Sequence, residues 1–540
     1  MKLYTKYTFV SYFMCFSLFL LILITALMLS LSSVVLAEVE LFFFNSLVFS
    51  FIFYFDWISI MFINVVLIIS SLILVYSKAY MGQECYRFLW LTNFFIFFMI
   101  LMVLSPSLLG VILGWDGLGL ISFCLVIYYS GVNSFNSGFI TAMTNRMGDS
   151  MLILSIVWSS AGGMFGFWEN VGGMIFFMGA CMTKSAQFPF SAWLPAAMAA
   201  PTPISSLVHS STLVTAGVYM MIRFYNCLLS TNLLFWLLFI SLVTIFIAGV
   251  SALQEYDLKR LVAFSTLGQL GFMMMILSLG GVMVSFFHLL IHALFKALLF
   301  MCTGLVIYSS LGGQDLRKMS MLKVNPMASM CLNVSMFSLM GLPFSSGFYS
   351  KDLLLELVLC SYGGMGLGVF MMVMALVTVT YTIRIVFYFG SMSGWVIWHS
   401  SPSLLMLPIF ILAGFNVFAG SVLNWLIIDL YFVSLSESLK TAPLMFLLMG
   451  LIWHGKSFFS QKSNWILFSL IYVSGLSKFL GVASGMFFLI MKIADQGWGE
   501  SLLGKNKKLI FSISNWSNIM MSGEYFMYSL GVLIVYFLIL

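Results

Sequence analysis

Residues 288–296 read His-Leu-Leu-Ile-His-Ala-Leu-Phe-Lys, so His288, His292 and Lys296 recur at every fourth position of an apolar run. On an α-helix this spacing puts the three side chains on one face, over about 12 Å of axis at about 1.5 Å per residue. The apolar residues on both sides predict a helix in hydrocarbon, where an ionisable group is costly unless it faces a partner or water. The sequence therefore predicts that this face meets partners or water.

The composition of the whole chain is that of a membrane protein. Of its 540 residues, 62% are hydrophobic and only 7% are charged, and the mean hydropathy is +1.10. The formal charge of +6 contains no dense basic run, which argues against a nucleic-acid partner. The eight cysteines include no Cys-x-x-Cys pair, so neither an iron–sulfur site nor a disulfide framework is indicated. We predict a polytopic, all-α membrane protein.

Apolar runs of about 20 residues predict about fifteen membrane spans. The predicted spans are 8–37, 56–76, 89–104, 107–129, 135–159, 171–198, 203–224, 234–253, 261–280, 282–308, 324–360, 364–389, 403–424, 441–455 and 524–540. Loop lysines and arginines fall mostly on one side, which by the positive-inside rule places the N-terminus inside. We interpret residues 464–523 as an interfacial amphipathic helix, with another span as the alternative.

Two of the predicted spans are unusually long and contain a proline near the middle. Pro189 interrupts 171–198, and Pro343 interrupts 324–360. Proline lacks a backbone donor and clashes with the preceding turn, so both spans are predicted to be broken helices whose freed backbone groups face protein or water. Paired broken helices of this kind indicate an ion pathway.

Four charged residues lie near the middle of predicted spans in the first half of the chain. Asp116 could be a protonated, hydrogen-bonded carboxyl group, but a nearby lysine would keep it ionised, and Lys184 is the candidate partner. Arg146 and Asp149 are three residues apart and can neutralise each other, either as a structural ion pair or as part of a transport path. Because intramembrane charges are rarely incidental, we expect Asp116 and Lys184 to be functional.

The histidines have structural and functional interpretations. His209 lies among hydroxyl residues that could position water, although it could equally be a packing residue with one hydrogen bond. His288 and His292 have the spacing of a metal pair, but no carboxylate or cysteine completes a site and Lys296 would repel a cation, so we expect no metal. A row of neutral imidazoles that ends at a lysine is better suited to passing protons than to binding a metal ion.

Lys351 and Asp352 follow the second break and repeat this pattern, with an interfacial pair that reaches water as the alternative. His399 and His454 lie near loop ends and are assigned no role. The remaining titratable groups form a series across five predicted helices: Asp116, Lys184, His209, Lys296 and Lys351. A proton carrier needs such a series.

Seven motifs resemble the chain 5 family of NADH:ubiquinone oxidoreductase (respiratory complex I), which consists of antiporter-like subunits. They are Gly-Trp-Asp-Gly-Leu-Gly (114–119), Asn-Arg-Met-Gly-Asp (145–149), Lys-Ser-Ala-Gln-Phe-Pro (184–189), a proline-, serine- and threonine-rich stretch (201–219), Asp-Leu-Lys-Arg-Leu-Val-Ala-Phe-Ser-Thr (257–266), the stretch that contains His288, His292 and Lys296 (288–300) and Gly-Phe-Tyr-Ser-Lys-Asp (347–352). The resemblance covers about residues 56–390. The family usually has glutamate where this chain has Asp116.

The resemblance implies a fold of two inverted five-helix repeats, each with one broken helix, and a lateral helix that braces neighbouring pump subunits. The corresponding regions are N-terminal helices (1–88), a first antiporter-like half (89–253), a second half (254–390), C-terminal helices (391–463), the lateral helix (464–523) and a terminal anchor (524–540).

The resemblance also implies a function, which is proton translocation across the mitochondrial inner membrane, driven by electron transfer from NADH to ubiquinone elsewhere in the complex. The implied path has a half-channel at Asp116, Lys184 and His209, a link through His288, His292 and Lys296, and an exit near Lys351 and Asp352. Arg146, Asp149, Pro189 and Pro343 would support it.

We expect no cofactor in this chain, because it contains no dinucleotide-binding glycine loop, haem motif or iron–sulfur spacing. NADH, flavin, iron–sulfur clusters and ubiquinone would belong to other subunits. The expected partners are membrane lipid and the other membrane-arm subunits, especially the adjacent antiporter-like ones through the lateral helix. The alternatives are a subunit of a multisubunit cation/proton antiporter and a purely structural scaffold of the membrane arm.

Overall fold

The structure is a computed structural model. It describes residues 14–15, 17–18, 20–29, 33–44, 47–82, 85–161, 173–231, 233–319, 326–360, 364–390, 403–427, 435–453 and 486. The chain divides into two units, Met1–Ile471 and Tyr472–Leu540. Met486 is the only described residue of the second unit, so the predicted lateral helix and terminal anchor, together with His399 and His454, lie outside the described residues.

The first unit is built almost entirely of helices, and the predicted all-α class is confirmed. Its elements are α1 (Leu20–Leu29), β1 (Val35–Phe44), β2 (Leu47–Phe55), α2 (Trp57–Met81), α3 (Cys85–Leu104), α4 (Leu108–Val126), α5 (Val132–Ala161), α6 (Met174–Lys184), α7 (Trp193–Ala196), α8 (Thr202–Ile204), α9 (Leu213–Arg223), α10 (Tyr225–Leu229), α11 (Leu233–Gln254), α12 (Leu258–Ser278), α13 (Val282–Ser309), α14 (Pro326–Met340), α15 (Ser346–Cys360), α16 (Gly364–Gly390), α17 (Ser403–Ile427) and α18 (Glu437–Trp453). A π-helical segment, Ser205–Thr212, joins α8 to α9, and short 3-10 turns lie at Phe190–Ala192, Ala197–Ala199 and Leu316–Lys318.

Within the described residues, seven helices are long and apolar enough to cross a membrane: α2, α3, α11, α12, α13, α16 and α17. The polytopic character predicted from composition is therefore confirmed. The total of fifteen spans, the inverted repeats and the boundaries of the regions stay predictions.

The predicted first span, 8–37, is wrong at its C-terminal end. The described part of the helix reaches Leu29, and β1 and β2 form an antiparallel hairpin in which the first residue of β1 pairs with the last residue of β2. The hairpin is rich in aromatic and β-branched residues, which favour strands. In the sequence, Glu38-Val39-Glu40-Leu41 alternates polar and apolar residues, and this period of two is typical of a strand.

Both predicted helix breaks are confirmed. Helix α6 ends at Lys184, and the chain turns through 185–189 before it resumes in short helical turns that end at Ala199. Helix α14 ends at Met340 and α15 begins at Ser346. The chain turns there at Gly341, whose φ of +84° is a conformation that glycine adopts without a steric penalty.

Helix α13, which carries the row of His288, His292 and Lys296, lies at the centre of the described helices. The apolar window of this helix is entirely buried within the chain. It contacts α2, α12, α14, α15, α17 and the π-helical segment. A helix that is apolar on nearly every side is expected to be buried in this way, so the polar row lies deep inside the bundle.

Candidate functional site

The row on α13 is fully enclosed by protein. His288 is 1% exposed, and His292 and Lys296 are both 0% exposed. The ring centroids of the two histidines lie 6.4 Å apart, as expected for neighbours on one helix face. The structure thus brings together the three residues that their spacing singled out.

Lys296 is held by a hydroxyl group and not by a carboxylate. Its Nζ donates a hydrogen bond of 2.6 Å to Ser265 Oγ on α12 and lies 5.9 Å from the centroid of the Phe295 ring. Within the described part of the chain, Lys296 forms no ion pair with an acidic residue.

His288 connects α13 to two other helices. Its Nδ1 lies 2.9 Å from Ser350 Oγ on α15, and its Nε2 lies 3.1 Å from Gln269 Oε1 on α12. Ser350 directly precedes Lys351, so the imidazole reaches the second broken helix next to its lysine.

His292 differs from His288 because neither of its ring nitrogens has a hydrogen-bond partner among the described residues. Its ring packs edge-on against Phe295 at a centroid distance of 5.4 Å. Buried polar groups without a partner are uncommon in native proteins, so the site leaves both nitrogens of His292 available to a further donor or acceptor.

Lys351 binds the backbone that the second break releases. Its Nζ donates to the carbonyl oxygens of Leu339 (3.4 Å) and Met340 (3.2 Å) at the end of α14, and to Thr378 Oγ1 (2.7 Å) on α16. The freed carbonyls therefore face protein, as the break at Pro343 predicted. Lys351 is only 4% exposed, which excludes the alternative that it extends to water.

Asp352 does not pair with Lys351, because consecutive residues of a helix point in different directions. It is partly buried, and it forms no ion pair within 4 Å among the described residues. The structure thus brings Lys351, but not Asp352, to the carbonyl groups of the break.

Lys184, the lysine of the first break, does not contact Asp116 as expected. Its Nζ donates to the Trp115 carbonyl oxygen at 3.3 Å and lies 5.0 Å from the centroid of the Trp115 ring. The buried Trp115 lies against Lys184, and no ion pair within 4 Å joins Lys184 to Asp116 among the described residues. The expectation that Lys184 contacts Asp116 directly is therefore wrong.

Asp116 instead lies near Arg146, at 3.8 Å, and Arg146 pairs with Asp149 at 3.3 Å, as the sequence predicted. The side chains of Asp116 and Arg146 are 38% and 52% exposed, whereas that of Asp149 is 7% exposed. Lys184 still interacts electrostatically with both carboxylates, and more strongly with Asp149. The first-half site is therefore a four-residue charge cluster that extends to the surface of the chain.

His209 lies on the π-helical segment, which the sequence analysis did not foresee. It is 1% exposed, neither ring nitrogen has a partner among the described residues, and its centroid is 6.0 Å from that of Trp193. The expected hydroxyl environment is present, but Ser205, Ser206 and Ser211 donate to backbone carbonyls of their own helical segment. Such π segments are frequent at functional sites.

Sequence reasoning missed the neutral partners of the titratable groups: Trp115, Ser265, Gln269, Ser350 and Thr378. The available signal was a polar residue inside an apolar span, such as Gln269 in Thr-Leu-Gly-Gln-Leu-Gly. That signal does not identify the contact, because each partner lies on another helix.

The sequence analysis also missed a buried ion pair near one end of the bundle. Asp56 caps α2 and accepts two hydrogen bonds from Arg223, of 2.6 Å and 2.5 Å, while Arg223 Nε donates to the Tyr219 hydroxyl at 2.8 Å. Both charged side chains are 9% exposed. This pair joins α2 to the end of α9.

The fold and the site define a class, which is a polytopic helical membrane protein with a row of titratable side chains buried at its centre. The profile described as "NADH:quinone oxidoreductase/Mrp antiporter, TM" matches residues 105–380, and that described as "NADH-Ubiquinone oxidoreductase (complex I), chain 5 N-terminus" matches residues 42–89.

Relatives called NADH-ubiquinone oxidoreductase chain 5 match most of the chain. The one from Aedes aegypti is 41% identical, over 93% of this chain and 92% of the relative. The one from Locusta migratoria is 42% identical, over 86% and 87%, and the one from Lumbricus terrestris is 39% identical, over 83% of each. This chain belongs to the NADH-ubiquinone oxidoreductase chain 5 family, and the resemblance read from its motifs is confirmed.

Solved structures share the fold. A chain of the Mrp complex from Dietzia sp. DQ12-45-1b superposes with a TM-score of 0.75 at 22% identity, over 89% of this chain, which spans 58% of the length of that chain. A chain of a membrane-bound sulfane sulfur reductase, an archaeal respiratory membrane complex, gives a TM-score of 0.64 at 20% identity, over 75% of this chain and 85% of that chain.

Proposed function

We propose that this chain is a proton-translocating subunit of the membrane arm of respiratory complex I in the mitochondrial inner membrane. The observation that carries the proposal is the row on α13, which is fully buried and reaches the second broken helix through the contact of His288 with Ser350. The names of the relatives supply the oxidoreductase to which such a subunit would belong.

Three of the four buried lysines of the described residues support a transport role. Lys184, Lys296 and Lys351 are at most 4% exposed, and none forms an ion pair within the described residues. Each is held by neutral oxygen atoms. Unpaired cations inside an apolar bundle cost several kcal/mol each, a cost that a scaffold need not carry and that a proton carrier requires.

The histidines would join these lysines. A neutral imidazole accepts a proton on one nitrogen and donates from the other. His209 and His292 have no protein partner for their nitrogens among the described residues, which is the arrangement that water molecules complete in buried polar sites. We assign them to water-linked transfer, and His288 to transfer through Ser350. The prolines of the breaks, Pro189 and Pro343, would admit water to either end of this path.

The driving reaction would take place elsewhere in the complex. Electron transfer from NADH to ubiquinone would use flavin and iron–sulfur clusters in other subunits, and this chain would contribute proton transfer only. The exposed part of the charge cluster, Asp116 with Arg146, supports contact with a neighbouring subunit, because a charge at mid-membrane needs protein or water beside it. The segment 464–523 would add a second contact.

A second candidate is a subunit of a cation/proton antiporter, which the similarity to the Mrp chain favours. The two functions separate in one experiment on mitochondrial membranes. Native electrophoresis with antibody detection would place this chain in the band that oxidises NADH, and the purified band in liposomes would take up protons on addition of NADH. A chain found only in a band without NADH oxidation, with proton movement driven by a sodium gradient alone, would contradict the proposal.

A further inference from the structure

The imidazole of His288 has a partner on each nitrogen, and one of these partners has no part in the proposed path. Gln269, on α12, is 1% exposed, and its Oε1 lies 3.1 Å from His288 Nε2. Ser350 Oγ lies 2.9 Å from Nδ1. The ring is therefore fixed between α12 and α15 by contacts at both of its nitrogens.

These two contacts select a tautomer. A carbonyl oxygen can only accept, so its contact with Nε2 places the ring proton on that nitrogen. The other nitrogen, Nδ1, then carries a lone pair, which points at the Ser350 hydroxyl. Because a serine hydroxyl both donates and accepts, it can give its proton to Nδ1 and take another from the path.

The Gln269 amide nitrogen, Nε2, has no hydrogen-bond partner among the described residues. The hydrogen-bonded contact of this side chain is therefore the one between its carbonyl oxygen and the His288 imidazole.

We propose that Gln269 is a positioning residue for proton transfer at His288. Its carbonyl oxygen holds the proton on Nε2 and so directs the lone pair of Nδ1 at Ser350. Ser350 gives its hydroxyl proton to Nδ1 and takes one proton from the path in the same step, so its oxygen stays neutral and the imidazolium has a hydrogen-bond acceptor on both sides, Gln269 Oε1 and Ser350 Oγ. The ring gains one proton and one positive charge, and it returns the proton through the same nitrogen, because the Gln269 carbonyl oxygen cannot pass a proton on. This inference rests on the proposed function.

The test is a set of substitutions in the assembled complex, reconstituted in liposomes, with protons taken up per NADH oxidised as the readout. We expect Gln269→Leu to lower this ratio at least about fivefold, equivalent to about 1 kcal/mol, with assembly and uncoupled NADH oxidation preserved. Gln269→Glu retains an oxygen acceptor for Nε2–H, so it should recover most of the ratio.

The order of these two variants separates positioning from packing. A purely structural role predicts the opposite order, since a leucine is tolerated in an apolar bundle better than a carboxylate. Ser350→Ala should lower the ratio like Gln269→Leu, and the double variant should be no worse, because both act on one proton transfer. The matched control is Thr266→Val, on the same helix as Gln269, because the buried Thr266 hydroxyl donates to the Ala263 carbonyl oxygen at 2.7 Å, within its own helix.

Two results would overturn the inference: a Gln269→Leu complex that pumps within twofold of the unsubstituted one, or a Gln269→Glu complex that pumps no better than Gln269→Leu. The variant His288→Leu separates the role of Gln269 from the proposed path through His288. If His288→Leu abolishes pumping while Gln269→Leu does not, only the role of Gln269 is wrong. If His288→Leu also leaves pumping intact, the proposed path through His288 is wrong.

Discussion

Two buried cationic sites in this chain are neutralised in different ways. Arg223 binds Asp56 through two hydrogen bonds of 2.6 Å and 2.5 Å, so its charge is balanced and fixed. Lys296 and Lys351 are more deeply buried and are held by hydroxyl and carbonyl oxygens. A balanced pair fastens helices together, whereas a lysine among neutral oxygens can lose its proton without leaving an unpaired carboxylate behind. The chain therefore separates charges that hold the fold from charges that could carry protons.

The largest effect should come from breaking the balanced pair. Arg223→Met leaves the Asp56 carboxylate buried without a counter-charge, which costs about 3–5 kcal/mol. We expect little assembled complex on native gels and a lowered thermal midpoint, with pumping per assembled complex retained. Arg223→Lys keeps the charge but loses the second hydrogen bond. Its assembly and thermal midpoint should therefore lie between those of Arg223→Met and those of the unsubstituted complex. Normal assembly of Arg223→Met would show that the pair is dispensable.

The next effect concerns a lysine among neutral oxygens. Lys351→Met keeps the length of the side chain but cannot carry a proton, so we expect proton uptake per NADH to fall about tenfold or more, a change of about 1.4 kcal/mol. Assembly should be normal, because no charged partner is left unpaired. Lys440→Met, at an exposed site on α18, is the matched control. Loss of assembly in Lys351→Met would place Lys351 with Arg223 among the structural charges.

A smaller effect is expected from the hydroxyl group that holds Lys351. Thr378→Val removes the 2.7 Å hydrogen bond to Nζ while keeping the shape of the side chain. One such bond contributes about 1 kcal/mol, so the rate of proton uptake should fall about fivefold. Thr378→Ser retains the hydroxyl and should pump normally. Equal defects in the two variants would indicate a packing effect of the methyl group.

The smallest effect should be at the exposed end of the first-half cluster. Asp116→Glu adds one methylene to a carboxylate that is 38% exposed and 3.8 Å from Arg146. Exposed ion pairs contribute about 0–1 kcal/mol, and Arg146 keeps its contact with Asp149. We expect proton uptake within about twofold of the unsubstituted complex. A strong defect would mean that the distance between Asp116 and Arg146 is critical.

The sequence predicts local features of this molecule well. The four-residue spacing of His288, His292 and Lys296 defines a helix face, and the prolines at 189 and 343 mark the breaks, because both signals depend only on neighbouring residues. The hairpin at Val35–Phe55 was missed because its apolar residues continue those of the preceding helix. In this region the sequence favours a strand over a helix only through a short stretch in which polar and apolar residues alternate.

Contacts between helices could not be predicted in the same way. Whether Asp116 or Trp115 faces Lys184 depends on the rotation of α4 against α6, which no local pattern fixes. The partners of Lys296 and Lys351 are serine and threonine hydroxyls, residues that are common throughout the chain. Charge suggested a carboxylate partner for Lys184, but packing placed this lysine at the neutral Trp115 carbonyl oxygen.

The most direct test of the account is proton uptake per NADH oxidised by liposomes that contain the complex with Lys296→Met, compared with Thr303→Val on the same helix. Thr303 is buried and donates to the Phe300 carbonyl oxygen. If the buried row carries protons, both variants should assemble and oxidise NADH with uncoupler present, and only Lys296→Met should lose coupled proton uptake. Full proton uptake by an assembled Lys296→Met complex would contradict the proposal that the buried row carries protons.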